Sequence, residues 1–373
     1  MPRILKRAIP CLLALAGLAL VLPSCSNEFR KRVETDTLPV TEDKERFTVK
    51  FSGVSTILVD DGRTQVLIDG YFSRVHRSLF NTMAPDLEQI VAGSDALGIR
   101  DFECINAVAE PANTCASRQY SGLSVIIPAH GHYDHAMDSA IVAARHGAIL
   151  LADESGRDLR AAARTFVGDN CDDCDWDRVA PSEYFDSGAQ NARSFGAGSF
   201  KITLYRTEHF CSFITEFGAG NNPEDIVLPT SLFGMKEGVA VSILVEQGDK
   251  GLLIVPSSNA FETVVAEHGI KADVVMMGIG GNGWKSKSYL ENVFTSLAEE
   301  AGAKRIIPIH WDKDSTKLFG EGHDSQNVQL EPSAIMRLDR TLAVMDSVTQ
   351  EFAADVGFAP VIDAFDPFAG IDS

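Results

Sequence analysis

Seven consecutive residues restrict the possible folds more than any other feature of this chain. Ala129-His130-Gly131-His132-Tyr133-Asp134-His135 directly follows residues 123–128, an apolar run of the kind that forms a buried strand. Four of the seven carry metal-ligating side chains. At the end of an extended segment, residues two apart point the same way, so His130 and His132 can share one ion. Asp134 and His135, where the chain turns into a helix expected over residues 136–146, face a second. Each ion then needs a third ligand from elsewhere, and the fold must bring it. His209 follows a strand expected over residues 200–206, and His310 follows one expected over residues 305–309. A single histidine at a strand end is commonly a core or turn residue, which is the alternative for His209 and His310 taken singly. Four ligand types within six positions seldom arise from packing.

Three protein ligands and a water make the open coordination of a catalytic zinc, whereas a structural zinc is closed by four. The water's pKa falls to about 7, giving a hydroxide nucleophile at neutral pH, and the ion polarises the bond under attack. The chemistry implied is hydrolysis.

The rest of the chain mixes hairpins with helices. Residues 47–51, 55–59 and 64–68 read as a meander broken by Gly53 and the Asp61-Gly62 turn. Further strands are expected at 148–151, 240–246, 251–255 and 273–277, and helices at 85–97, 260–268 and 289–301. A last amphipathic helix over 333–352 lines up Ile335, Leu338, Leu342, Met345 and Phe352. Sheets made from hairpins, with helices covering their outer faces, predict a layered α/β sandwich.

The order HGHYDH, then His209, then Pro308-Ile309-His310-Trp311-Asp312 resembles the metallo-β-lactamase superfamily over about residues 47 to 312. The resemblance implies a four-layer αββα sandwich and a hydrolase binding zinc, less often iron or manganese. It is nearer to bacterial members distantly similar to ascorbate-6-phosphate lactonases and N-acyl phosphatidylethanolamine phospholipases D. Carried over by position, His130, His132 and His209 would hold one ion, and Asp134, His135 and His310 the other. With one ion alone, Asp134 could act as a base. Residues 51–56 and 67–74 look like the family's first hairpin, where Asp69 matches an acidic residue supporting a ligand histidine. Asp69 could equally be a turn residue before Gly70. One departure stands out: many members place a metal-bridging aspartate in the turn that here reads Pro256-Ser257-Ser258-Asn259-Ala260. Without it a second ion should bind more weakly, leaving one ion or two. Ser258 remains a candidate to support a ligand or touch substrate. The resemblance admits two rivals, a zinc β-lactamase and a non-catalytic metal-binding lipoprotein.

Residues 1–24 show the anatomy of a signal peptide: Arg3, Lys6 and Arg7, then an apolar run, then Leu22-Pro23-Ser24-Cys25, which resembles a bacterial lipobox. Expected is an exported lipoprotein anchored through Cys25, with Ser26 resembling the sorting signal for an outer membrane facing the periplasm. Residues 25–45, charged and poor in large apolar side chains, read as a solvated tether, and 46–373 as one domain. Of the seven cysteines, Cys104 with Cys115 and Cys171 with Cys174 are the pairs nearest in sequence, leaving Cys211. Acidic residues outnumber basic ones 52 to 33. That balance excludes nucleic acid as a partner and favours a small-molecule substrate.

Gly278-Ile279-Gly280-Gly281-Asn282-Gly283 satisfies the dinucleotide fingerprint GxGxxG. Residues 284–288 separate it from the next helix, so it reads as a tight turn beside the metals. Arg74 and Lys285 could meet an anionic substrate group, or could be solvated cations.

Overall fold

The computed structural model describes residues 27–43, 46–76, 81–104, 120–171, 173–177, 181–183, 185, 191–210, 218–257, 259, 261–323, 328–330 and 337–371. The first half carries α1 (Asn27–Thr35), β1 (Thr48–Phe51), β2 (Ile57–Asp60), β3 (Thr64–Ile68), β4 (Thr82–Met83) and α2 (Leu87–Leu97). It continues with β5 (Glu103–Cys104), β6 (Tyr120–Ile127), α3 (Tyr133–Ala136), α4 (Ser139–His146), β7 (Ile149–Ala152), α5 (Glu154–Val167) and β8 (Pro181–Glu183). The second half carries β9 (Ala192–Ala197), β10 (Phe200–Thr207), β11 (Thr230–Ser231), β12 (Ala240–Gln247), β13 (Lys250–Val255) and α6 (Phe261–His268). After these come β14 (Val274–Gly278), α7 (Lys287–Thr295), β15 (Arg305–Ile309), α8 (Leu338–Glu351) and β16 (Asp355–Val356). One sheet runs β1-β2-β3-β6-β7-β8 with β5 also on β6, and the other runs β16-β15-β14-β13-β12-β10-β9.

The period-2 alternation of the strands divides their side chains between two cores. Val59, Val66, Ile68, Val125 and Ile127 face the second sheet and join Ile202, Leu204, Val241, Ile243 and Ile254 in one cluster. Leu58, Leu67, Leu123 and Ile126, from the same strands, pack outward with Ile90, Leu97 and Ile141 of α2 and α4. A bulge opposite Gln65 and Val66 inserts Ser124 into β6, which is why Leu123 and Ile126, three apart, share a face. Beyond the second sheet the core continues to Phe261, Leu290, Phe294, Leu342 and Met345 of α6, α7 and α8. The layers are αββα, as expected.

Strand direction sets where the site forms. β10 and β13 are both antiparallel to β12, and β14 and β15 run parallel to β13. The C-terminal ends of β10, β13, β14 and β15 therefore emerge on one edge, and His209 and His310 follow two of them.

Three sequence expectations need correcting. Residues 27–40, expected within a tether, are folded onto the domain. Phe29 is fully buried against Phe358 (ring centroids 5.3 Å) and Trp311 (5.9 Å), Arg32 pairs with Asp346 at 2.7 Å, and Leu38 N donates to the Phe358 carbonyl. One buried aromatic among charges outweighs the polar composition. Ser55 and Thr56, expected in a strand, lie in the loop before β2, where the Ser55 hydroxyl is drawn to Asp69. The expected helix over 136–146 breaks at Met137 and Asp138, whose carboxylate accepts from the Phe72 and Ser73 amides. The signal, Cys25, Cys115, Cys211 and Ser258 lie outside the described residues. No helix among those described is long and apolar enough to cross a membrane. Phe29→Ala should cost about 3 to 5 kcal/mol in denaturant unfolding, as burying a large aromatic side chain in a core does; a loss below about 1 kcal/mol would show that α1 is not part of the folding unit.

Candidate metal centre

The loops after β6, β10 and β15 bring six expected residues into two groups of three. In one, ligand atoms of His130, His132 and His209 lie within 4.8 Å of one another; in the other, so do those of Asp134, His135 and His310. His130 Nε2 and His132 Nδ1 face each other at 3.0 Å, and the His209 ring stands 4.5 Å from His130 and 4.7 Å from His132 between centroids. The His132 Nε2 side points at the Gly218 carbonyl, 3.4 Å away, which leaves Nδ1 directed at the group. The groups adjoin, since the His130 and His135 rings are 3.9 Å apart. Asp134 Oδ2 reaches His310 Nε2 at 3.4 Å and His135 Nε2 at 3.8 Å.

A layer of hydrogen bonds aims these rings. Asp69, fully buried, accepts from the Ala129 amide through Oδ1 (2.6 Å) and meets His135 Nδ1 through Oδ2 (2.7 Å). Ser55 Oγ lies 3.0 Å from the same nitrogen. His135 Nδ1 is thus occupied, and Nε2 is the nitrogen that faces Asp134. Asp69 also has φ +61°, so it serves the turn as well as the histidine. His310, at φ +57°, is anchored by its amide to the Val54 carbonyl at 2.7 Å. Across from it, a Cβ at Gly280 would sit 2.9 Å from the His310 carbonyl oxygen and 3.0 Å from Nδ1, so only glycine lets the turn approach. The GxGxxG segment is therefore a turn packed against His310.

Burial, reinforced by His135 and His209, holds the His130 pKa well below the usual histidine range. Burial likewise takes His132 to about 4 and lowers His209 strongly, with His132 adding to the latter. These three rings are neutral near pH 7, the form that ligates metal. Burial also opposes charge on Asp134 and His310, but here the partners win. His135 and His310 hold Asp134 well below the carboxylate range, and the bond to Asp134 raises His310. Neutral imidazoles on one side and a carboxylate with two imidazoles on the other form a nitrogen and oxygen donor set that fits a divalent ion such as zinc.

Glu237 had no motif to mark it, yet its carboxylate Oε2 stands 4.0 Å from His209 Nδ1 and its carbonyl accepts from the Gly131 amide at 2.7 Å. Arg74 does not face substrate: it is fully buried and pairs with Asp312 at 2.5 Å. Ser257 Oγ accepts from the Phe210 amide at 3.4 Å in the turn after β13. Asp69→Ala should lower zinc affinity about 10- to 100-fold, measured by competition with a chromophoric chelator, because His135 loses the group that orients it; unchanged affinity would assign Asp69 to the turn alone.

No protein-family model and no curated protein matches the chain. Among solved structures it is similar to Igni18, a metallo hydrolase of the archaeon Ignicoccus hospitalis, with 14% identity, 86% of this chain and 98% of that one covered, and a TM-score of 0.42. It is similar to the metallo-β-lactamase fold protein YhfI of Bacillus subtilis, with 13% identity, 86% and 99% covered, and a TM-score of 0.42. It is also similar to zinc-bound PqqB of Methylobacterium extorquens, with 16% identity, 84% and 87% covered, and a TM-score of 0.42.

Proposed function

We propose that this chain is a metallo-β-lactamase-fold hydrolase that cleaves an ester, lactone or phosphodiester. The observation that carries the reading is the pair of adjoining ligand groups, each with three protein donors and so with room for water or substrate. His130, His132 and His209 would hold one zinc ion, and Asp134, His135 and His310 a second. Bound there, zinc supplies a water acidified to a pKa of about 7 and a Lewis acid for the bond under attack.

The chain's own residues do the rest. Asp134 lies between His310 and His135, and with one ion alone its carboxylate could serve as the base toward an attacking water. Asp69 and Ser55 fix the tautomer and direction of His135. Gly280 lets the turn close over His310, limiting its swing.

The same reading includes export. The Cys171–Cys174 disulfide favours an oxidising compartment, in keeping with the signal-like start and a lipid anchor at Cys25. With α1 beginning at Asn27, an anchor there would leave almost no spacer before the folded body. The test is metal analysis of the mature protein with a panel of phosphodiester, lactone and β-lactam substrates. Stoichiometric zinc and turnover abolished by chelation are expected, with β-lactams the poorest of the three. Absence of bound metal after purification in zinc-containing buffer would overturn the hydrolase, and bound metal without turnover would favour a binding protein.

A further inference from the structure

The residue between His130 and His132 is a glycine because another part of the chain lies against it: a Cβ at Gly131 would overlap the Lys236 carbonyl oxygen. Residues 218–239 form a strap whose two arms run side by side. Gly238 N donates to the Gly220 carbonyl at 2.8 Å, and Glu237 N to the Gly218 carbonyl at 2.7 Å. Both arms reach the first ligand group. The Gly218 carbonyl, already held by Glu237, also takes His132 Nε2, and a Cβ at Gly218 would stand 2.5 Å from that nitrogen. The Glu237 carbonyl takes the Gly131 amide at 2.7 Å, and just beyond the strap Val241 N donates to the Ala129 carbonyl at 2.8 Å. On its other side the strap is pinned to the start of α5. Asn222 is buried, and its backbone N donates to Ser155 Oγ at 2.9 Å and its Nδ2 to the Ser155 carbonyl at 3.2 Å. Its Oδ1 accepts from the Lys236 amide at 2.7 Å, which ties one arm to the other. Asp153, the N-cap of α5, accepts from the Val239 amide at 2.7 Å. Between these pins Ile226 and Met235 are buried in one cluster with Tyr133 and Leu159. The strap thus has a fixed register over the histidines, and the Asn222 side chain joins its two arms to α5.

We infer that Asn222 is a positioning residue for the group of His130, His132 and His209. By locking the arms together it holds the Gly218 carbonyl on His132 Nε2, which keeps the ring proton there and leaves Nδ1 for an ion. The orienting bonds of the second group come instead from Asp69, Ser55 and Val54, so loss of Asn222 acts on one group and spares the other. The inference rests on the reading of both groups as metal sites. Cobalt(II), whose visible absorption reports its ligand geometry, is titrated into the full chain carrying His310→Ala, which keeps the first group whole, or His132→Ala, which keeps the second. Adding Asn222→Ala should weaken cobalt binding about tenfold in the first background and change it by less than about twofold in the second. Asn222→Asp, which retains an oxygen for the Lys236 amide, should recover part of the loss. If Asn222→Ala does not fold, Ser155→Ala removes the hydroxyl that takes the Asn222 amide, and its loss should likewise fall on the first background alone. Equal losses in both backgrounds, or a loss below about twofold in the first, overturn the positioning role. Failure of the metal reading is seen separately, as no cobalt bound by His310→Ala itself, and the inference falls with it.

Discussion

His132→Ala is expected to lower the zinc affinity of the group it forms with His130 and His209 by about 100-fold or more, and to abolish hydrolysis with it. The magnitude follows from a lower bound: losing a group that merely orients a ligand costs 10- to 100-fold in affinity, and losing a ligand costs at least the upper end of that range. His132 is the strongest choice because its Nδ1 lies 3.0 Å from His130 Nε2 while its Nε2 is turned to the Gly218 carbonyl. One nitrogen is thus held for the ion. The control is His146→Ala. That histidine is also buried, but it pairs with Asp101 at 2.8 Å at the end of α4 and belongs to neither ligand group. It should lose stability and keep its metal. Elemental analysis of both variants after identical zinc exposure decides the matter, and full zinc occupancy in His132→Ala would refute the assignment of His130, His132 and His209 as a metal site.

Much of this site was legible because the chemistry required it to be local. His130, His132, Asp134 and His135 fit within six positions, and the histidines that complete the groups each end an apolar strand of the kind that a sheet aligns at one edge. The fold was legible for a similar reason, since strands such as 64–68 and 240–247 alternate or run apolar as buried strands do. What escaped was carried by weak or misleading signals. α5 turns Leu159, Ala162, Ala163 and Val167 inward, and two alanines make a faint stripe beside charged neighbours. α1 hides one decisive phenylalanine in NEFRKRVET. β9, an edge strand, is mostly half exposed and owes its place to pairing with β10. Glu237 is brought to His209 only by tertiary approach, for which the sequence holds no spacing rule.

Arg74 was misleading in a more instructive way, and it yields the second large effect. A lone arginine in Asp69-Gly70-Tyr71-Phe72-Ser73-Arg74 reads as either a substrate contact or a solvated cation, yet both it and Asp312 are completely buried. Its guanidinium donates to Asp312 Oδ2 and to the carbonyls of Lys313 and Thr316, while Asp312 Oδ1 accepts from the Val54 amide at 2.7 Å. The pair thus clasps the loop after β1 to the segment after β15, and His310 lies within that clasp, bonded by its own amide to the Val54 carbonyl. Gly53, at φ +90°, passes so close that a Cβ would stand 2.5 Å from both Arg74 Nη1 and Asp312 Oδ2. Arg74→Met strands an ionised carboxylate in the interior, and breaking a buried pair in this way costs about 3 to 5 kcal/mol. The double variant Arg74→Met with Asp312→Asn removes the stranded charge and should recover part of that loss, so the two substitutions are strongly non-additive in denaturant unfolding. Strictly additive losses would mean that the pair does not act as a unit. The variants should also weaken zinc held by Asp134, His135 and His310 more than zinc held by the other group, because only the former contains the residue that the clasp positions.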